Sequence, residues 1–242
     1  MRIGNAGVES ATDALRAYQA LKKRILNGTY APGERLSEVR LAEELGLGRS
    51  PIRTALGRLK NDGWISVSPK SGTYVRSLSD REIAELLELR LLLETHVART
   101  AARSIGDDDL GKLRRAFEQL RPLRSAASPA RLRAAFMDFD SMLHMTLYRA
   151  AGNTMITGIL MNLIDKIQWI RTSAPTPQHR VDAALDELQR LIEALEARNA
   201  RAAADRMDDH IRNAAEHAAR TRSGGTADGA AIADAVASTR ST

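Results

Sequence analysis

Apolar positions along the chain follow two regimes. Between residues 11 and 27, Leu15, Tyr18, Leu21, Ile25 and Leu26 recur at helical spacing, and Asn27-Gly28 closes that helix. Ala31-Pro32-Gly33 reads as a turn. Ser37 is the expected cap of a short helix, Glu38–Leu45, whose apolar positions are Val39, Leu41, Ala42 and Leu45. Gly46-Leu47-Gly48 leads tightly into a third helix, Pro51 to Asn61, with Ser50 as expected cap and proline first. Asp62-Gly63 breaks it, and Trp64–Val67 and Thr73–Arg76 read as two strands around Ser68-Pro69-Lys70-Ser71-Gly72. From residue 79 the period is helical throughout, with helices predicted over 80–103, 107–121, 129–151, 154–173, 178–198 and 200–220. Their short connections make neighbours antiparallel.

The predicted fold class is therefore mainly α. A winged helix-turn-helix over residues 11–78 precedes an all-helical antiparallel bundle over 79–220. Residues 1–10 are expected to form a flexible leader. Residues 221–242, rich in Gly, Ala, Ser and Thr, are expected to form a flexible tail, because they carry too little apolar surface to offset the entropy of ordering.

Charge divides the chain at the same place. The whole sequence of 242 residues carries a net +6. Residues 1–78 hold 13 Lys and Arg against 7 Asp and Glu, whereas residues 79–242 hold 23 against 23. A basic module beside a neutral body points to a polyanion-binding head. The chain has no cysteine, which excludes disulfides, thiolate metal sites and a cysteine nucleophile and suits a reducing, cytoplasmic setting. Apolar runs as short as Leu91-Leu92-Leu93 predict no membrane span.

The head's chemistry lies at the start of its third helix, Gly48-Arg49-Ser50-Pro51-Ile52-Arg53. Arg49 and Arg53 share one face there, suited to guanine edges or phosphates. Ser50 and the adjoining backbone N–H groups suit phosphate, and Ile52, Ala55, Leu56 and Leu59 form the opposite, core-facing stripe. The segment ILNGTYAPGERLSEVRLAEELGLGRSPIRTALGRLKNDGWI, followed by PKSGTYV, resembles the DNA-binding domain of GntR-type bacterial transcription regulators. That resemblance implies DNA contacts by Arg49, Ser50, Arg53 and the wing residue Gly72, with Lys70 and Ser71 beside it. Gly48 stands where the family usually has a serine, and Thr54 where it has an acidic residue.

In the body, polar residues interrupt the core stripes. Asp140 and His144 stand four apart among Phe136, Phe139, Leu143 and Leu147, a spacing that can chelate a metal but is more often an ordinary helix pair. His210 lies beside Met207 and Ile211, Arg90 among Leu86, Leu87 and Leu93 with Glu94 one turn on, and Arg171 after Ile164, Ile167 and Ile170. Several polar groups on core faces suggest a shared pocket with a charged occupant. Residues 80–220 are similar to the all-helical FCD effector domain of the FadR-type branch of these regulators. The carrying segments are ELLELRLLLETHVARTAA, FMDFDSMLHMTLYRAAGN and DELQRLIEALEARNARAAADRMDDHI. The resemblance implies a divalent metal held by one Asp and three His beside a small carboxylate effector. The ligands it carries over are Asp140, His144 and His210, and Leu188 stands where the remaining histidine is expected. Three ligands with water can hold Zn²⁺, Ni²⁺ or Mn²⁺; the alternative is a metal-free pocket, more apolar near Leu188. Arg90, Asn153 and Arg171 are the candidate effector anchors, by charge and position.

The resulting expectation is a cytoplasmic, non-enzymatic regulator, acting as a repressor. It binds a double-stranded inverted-repeat operator as a homodimer and responds to a small carboxylate metabolite. Two rivals are a metal-dependent hydrolase using the Asp/His cluster and a helical protein-interaction module.

Overall fold

The computed structural model describes residues 4–126, 128–172 and 176–223. The chain divides into two compact units, residues 1–78 and 79–242.

In the first unit, helix α1 (Gly4–Leu26) packs on α3 (Arg49–Asn61), with α2 (Glu38–Leu45) between them in sequence. Helix α1 thus begins at Gly4, inside the segment expected to be a flexible leader. Leu21, Ile25, Leu41, Ile52 and Leu59 are fully buried and form the centre of this unit. Helix α2 ends because Gly46 takes a left-handed conformation at φ 63°, where its N–H bonds back to the last turn. Ser37 occupies the N-cap position of α2 without a side-chain cap bond. The expectation for α3 needs correction. Gly48 is its N-cap, so Arg49 is the first helical residue, Ser50 is inside the helix, and Pro51 stands third, where its missing N–H is still harmless.

The wing is a three-stranded antiparallel sheet in the order β1-β3-β2. Strands β2 (Ile65–Ser68) and β3 (Gly72–Val75) form the expected hairpin in the register Ile65↔Val75 to Ser68↔Gly72. Strand β1 (Arg35–Leu36), which the sequence reading missed, pairs Arg35 with Tyr74 and Leu36 with Thr73. Two residues are too few to show alternation. Gly72 has φ 120°, a backbone conformation that residues with a side chain rarely adopt, so the turn favours glycine there.

The second unit is helical throughout its described residues. Helix α4 (Asp80–Ser104) opens with a capping box: Ser79 accepts from the Glu82 N–H, and the Glu82 side chain accepts from the Ser79 N–H. Helices α5 (Asp107–Glu118) and α6 (Arg121–Ala126) replace the single helix expected over 107–121. Pro122 explains the break, since its ring would clash with the carbonyl of Glu118 in a continuous helix. Helices α7 (Pro129–Ala151), α8 (Thr154–Thr172), α9 (Gln178–Glu196) and α10 (Ala200–Ser223) complete the unit. The tail expected from 221 is still helical to Ser223, and residues 224–242 lie outside the described residues. Helix α4 packs along α10 and α7, and α9 fits against α10, α7 and α4. Leu143, Leu147, Leu188, Leu191, Met207 and Ile211 are fully buried where these helices meet.

Candidate functional site

The four central helices each bring charged or polar side chains into that apolar interior. Arg90, Glu94, Asp140, His144, Arg180, Glu187 and His210 are all buried, Glu94 and Asp140 completely. Burial of so many ionisable groups is tolerable only if they are paired, and they form one connected run. Arg90 Nε donates to Glu94 Oε1 at 2.6 Å. The second Glu94 oxygen lies 2.6 Å from His144 Nδ1, close but not aligned as a regular hydrogen bond, so both atoms lack a hydrogen-bond partner. His144 Nε2 lies 3.8 Å from Asp140 Oδ1, and His210 Nε2 lies 3.1 Å from the same oxygen. His210 Nδ1 is 2.8 Å from Glu187 Oε2. Arg180 closes the run by donating to both Glu187 oxygens at 2.9 and 3.1 Å, and Asn213 donates to Glu187 at 2.8 Å.

These contacts set the electrostatics. Burial alone would raise Glu94, but Arg90 and His144 outweigh it and hold the carboxyl at about 2. Burial also works to raise Glu187, and its hydrogen bonds from His210 and Arg180 bring it below the ordinary carboxylate range. His210 shows the converse: burial pulls it down, and its contacts with Asp140 and Glu187 push it above the usual imidazole value. Tyr148 is driven well up by burial and then by the nearby Glu94.

Asp140, His144 and His210 offer one ligand atom each, all within 4.8 Å of one another. Both imidazoles turn Nε2 toward Asp140 and present Nδ1 to a carboxylate, Glu94 or Glu187. A carboxylate behind each ligating histidine is the usual support of a metal site, because it fixes ring orientation and ligand basicity. The donor set of two nitrogens and one oxygen suits a borderline divalent ion. Together with the misaligned Glu94–His144 contact, it shows that these residues fit the metal that the family resemblance implies. Leu188 is fully buried in the apolar core and supplies no fourth ligand. His179 is exposed in the first turn of α9.

A cavity adjoins this run. Arg90, Arg180 and His210 form its polar end, and Phe136, Ile167, Ile170 and a set of alanines form much of the rest.

In the head, α3 exposes Arg49, Ser50 and Arg53, and the wing turn exposes Lys70 and Ser71, with Gly72 half-buried. Arg53 is held from the side: its Nε and Nη2 donate to the two Glu38 oxygens at 3.3 and 3.0 Å. Among the described residues, the Arg49 side chain has no ion pair.

Comparison with known proteins matches both units. Residues 13–75 match the gntR family of bacterial regulatory proteins, and residues 85–213 match the FCD domain. The chain belongs to the GntR family, in its FCD-domain branch. An uncharacterised HTH-type transcriptional regulator of Bacillus subtilis, YdhC, is 29% identical over 84% of this chain and 89% of its own. The transcriptional repressor RspR of Escherichia coli is 25% identical over 82% of this chain and 86% of its own. The gluconate operon repressor of Bacillus licheniformis is 30% identical over 63% of this chain and 61% of its own. Among solved structures, the fold is shared with E. coli McbR/YncC at TM-score 0.71 and 19% identity, covering 87% of this chain and 98% of that one. A GntR regulator from Rhodococcus sp. RHA1 gives TM-score 0.70 at 20% identity, covering 88% and 99%.

This GntR regulator is a DNA-binding transcription regulator with an effector-type domain, and not an enzyme; the hydrolase alternative falls with that assignment. No described helix is long and apolar enough to cross a membrane. The structure brings Asp140, His144, His210 and Arg90 together, and Asn153 is not among the described residues that line the cavity. Asn153 is exposed and caps α8, accepting from the N–H groups of Met155 and Ile156 at 3.1 Å each. A polar residue in an Ala-Gly-Asn turn before a helix is an N-cap by local chemistry, and that signal was readable. Arg171 belongs to α8, but its side chain lies outside the described ones. Glu187, Arg180 and Glu38 were missed. Glu187 precedes an aliphatic position and looks like a surface residue by spacing, and only the contact with His210 exposes its part.

The run makes Arg90 a structural partner as well as a pocket residue. Arg90→Met should destabilise the protein by about 3–5 kcal/mol, because Glu94 is left charged in an apolar interior. Urea unfolding of chelator-treated protein measures this, and a loss below about 1 kcal/mol would show that Glu94 does not depend on Arg90.

Proposed function

We propose that the protein is a ligand-responsive repressor that binds an inverted-repeat operator as a homodimer and senses a small carboxylate metabolite through its helical domain. The observation that carries this reading is the buried Asp140–His144–His210 cluster, whose His210 lines a cavity together with Arg90 and Arg180. A packed bundle has no structural need for so many ionised groups, whereas a receptor for a charged ligand does. The names of the relatives RspR and the gluconate operon repressor favour repression as the sign. Exposed apolar side chains favour self-association through the helical unit: Leu89 and Leu92 on α4, and Met155, Ile159 and Met161 on α8.

In this reading Arg49 and Arg53 reach base edges or phosphates from α3, Ser50 and the N-terminal N–H groups of the helix bind phosphate, and Lys70, Ser71 and Gly72 bring the wing to the neighbouring backbone. Glu38 sharpens the role of Arg53. It occupies the Nε edge of the guanidinium and leaves the far edge free, so the arginine is presented in one orientation.

In the helical unit, Asp140, His144 and His210 would hold a divalent metal, with Glu94 and Glu187 orienting the two imidazoles. Such an ion supplies a Lewis-acidic centre for a carboxylate oxygen. Arg90 and Arg180 bind the same anion by charge-assisted hydrogen bonds. Ligand affinity and operator affinity are then linked, each changing the other by the same factor.

Operator binding tests the head. On DNA selected from a random pool, Arg49→Ala should weaken binding by about 1–3 kcal/mol, and the affinity of the unaltered protein should fall steeply with salt. Unchanged operator affinity in the variant would remove Arg49 from the DNA contacts, and a flat salt profile would favour the interaction-module alternative.

Zinc retention tests the cluster. After loading and dialysis the unaltered protein should keep stoichiometric zinc, and Asp140→Ala with His210→Ala should keep none. Glu187→Gln should weaken zinc binding by about 10–100-fold through loss of its support for His210. Equal zinc content in all three proteins would rule the cluster out as the metal site.

A further inference from the structure

The cavity beside the cluster is chemically lopsided. Its polar end holds Arg90, Arg180 and His210. The rest of the described lining is mostly hydrocarbon, including a wall of alanines, Ala184 on α9 and Ala214, Ala215 and Ala218 on α10, together with Ile167 and Ile170 of α8. The alanines leave the space open, and the cavity offers about 70 Å³ to the centres of water-sized molecules.

The hydrogen-bonding capacity of the polar end is equally one-sided. Arg90 uses Nε on Glu94 and faces His144 with Nη2, while Nη1 makes no hydrogen bond among the described residues. Arg180 spends one N–H of each terminal nitrogen on Glu187 and keeps Nε and the remaining N–H groups. The end therefore offers donors. Acceptors are short: Glu94, Asp140 and Glu187 face the arginines and imidazoles of the run, and both His210 nitrogens already meet carboxylates. Apart from these groups, Thr176 and the half-buried, already engaged His217 are the polar side chains among the described lining residues. A carboxylate, which only accepts, fits such an end. Because most of the described lining is hydrocarbon, a ligand with several hydroxyls would bury most of them unpaired, which is unfavourable.

We infer that the effector of this regulator is a monocarboxylic acid with an apolar, unhydroxylated body, its carboxylate at Arg90 and Arg180 and its hydrocarbon part against the alanine wall. This inference rests on the anionic-effector reading above and adds to it the chemistry of the ligand's remainder. It separates this chain from a receptor for sugar acids, the kind of ligand suggested by the name of the gluconate operon repressor that it resembles.

The probes are hexanoate and gluconate, which share six carbons and one carboxylate and differ in hydroxyl groups, together with hexanol as an uncharged control. Calorimetric titration of the purified full-length protein measures all three. Hexanoate should bind at least about ten-fold tighter than gluconate, since each buried methylene favours the apolar wall and each buried hydroxyl opposes it. Hexanol should bind at least about ten-fold more weakly than hexanoate, because it leaves the arginines unpaired. Ala215→Phe, which fills the wall, should abolish hexanoate binding while acetate binding persists. Gluconate binding as tightly as hexanoate or tighter would overturn the inference and leave the anionic-effector reading intact. Hexanol binding as well as hexanoate, or no binding of any carboxylate, would overturn both.

Discussion

The helical unit is organised by the pairing of charges that cannot reach water. Arg90, Glu94, His144, Asp140, His210, Glu187 and Arg180 follow one another in contact from α4 through α7 and α10 to α9. Each would be strongly unfavourable alone in that interior, and together they neutralise one another. The demand for pairing fixes more than electrostatics. Arg90–Glu94, Asp140–His144 and Arg180–Glu187 each lie within one helix, whereas Glu94–His144, Asp140–His210 and Glu187–His210 join different helices. Slippage of α9 or α10 by one residue would break a link and bury an unmatched charge. Apolar contacts around Leu143, Leu188 and Met207 supply the driving force for collapse, and the polar run selects one arrangement within it.

The same constraint suits the proposed sensing role. A run of buried charges that is only just satisfied, with Glu94 Oε2 and His144 Nδ1 close but misaligned, can respond to an arriving ion or carboxylate. Helix α4 carries the first two members of the run and begins at Asp80, capped by Ser79, directly after the head in sequence. The head is built on a different economy: its polar side chains stay outside. Arg49, Ser50 and Arg53 are exposed on a helix whose other face is fully buried. Its net charge of +6 is the charge of the entire chain, so the attraction for a polyanion resides where the exposed arginines are.

Much of this was legible in the sequence, for reasons that differ by region. Helix faces were read correctly in α3 and α7 because apolar residues recur at helical spacing from Ile52 to Leu59 and from Leu132 to Leu147. Asp140, His144 and His210 stood out as polar residues on apolar stripes. What was not legible depended on tertiary contact or on local backbone chemistry. Strand β1 exists only because β3 pairs with it. Pro122 splits a stretch whose apolar spacing alone reads as continuous, and the N-cap of α3 falls on Gly48 because backbone geometry outranked the serine at 50. Asn153 looked like an anchor by its neighbours and serves as a cap. Glu187 was hidden because a glutamate beside a core leucine is, by pattern alone, a surface residue.

In the function proposed above, the buried run senses a ligand on behalf of the head. The most direct test is the dissociation constant of the full-length protein for its selected operator, with and without saturating hexanoate. Linkage predicts a shift of at least about five-fold, with the same factor appearing in hexanoate affinity when the operator is bound. Hexanoate that occupies the protein yet leaves operator affinity unchanged would contradict the account, because binding without differential affinity cannot move an equilibrium.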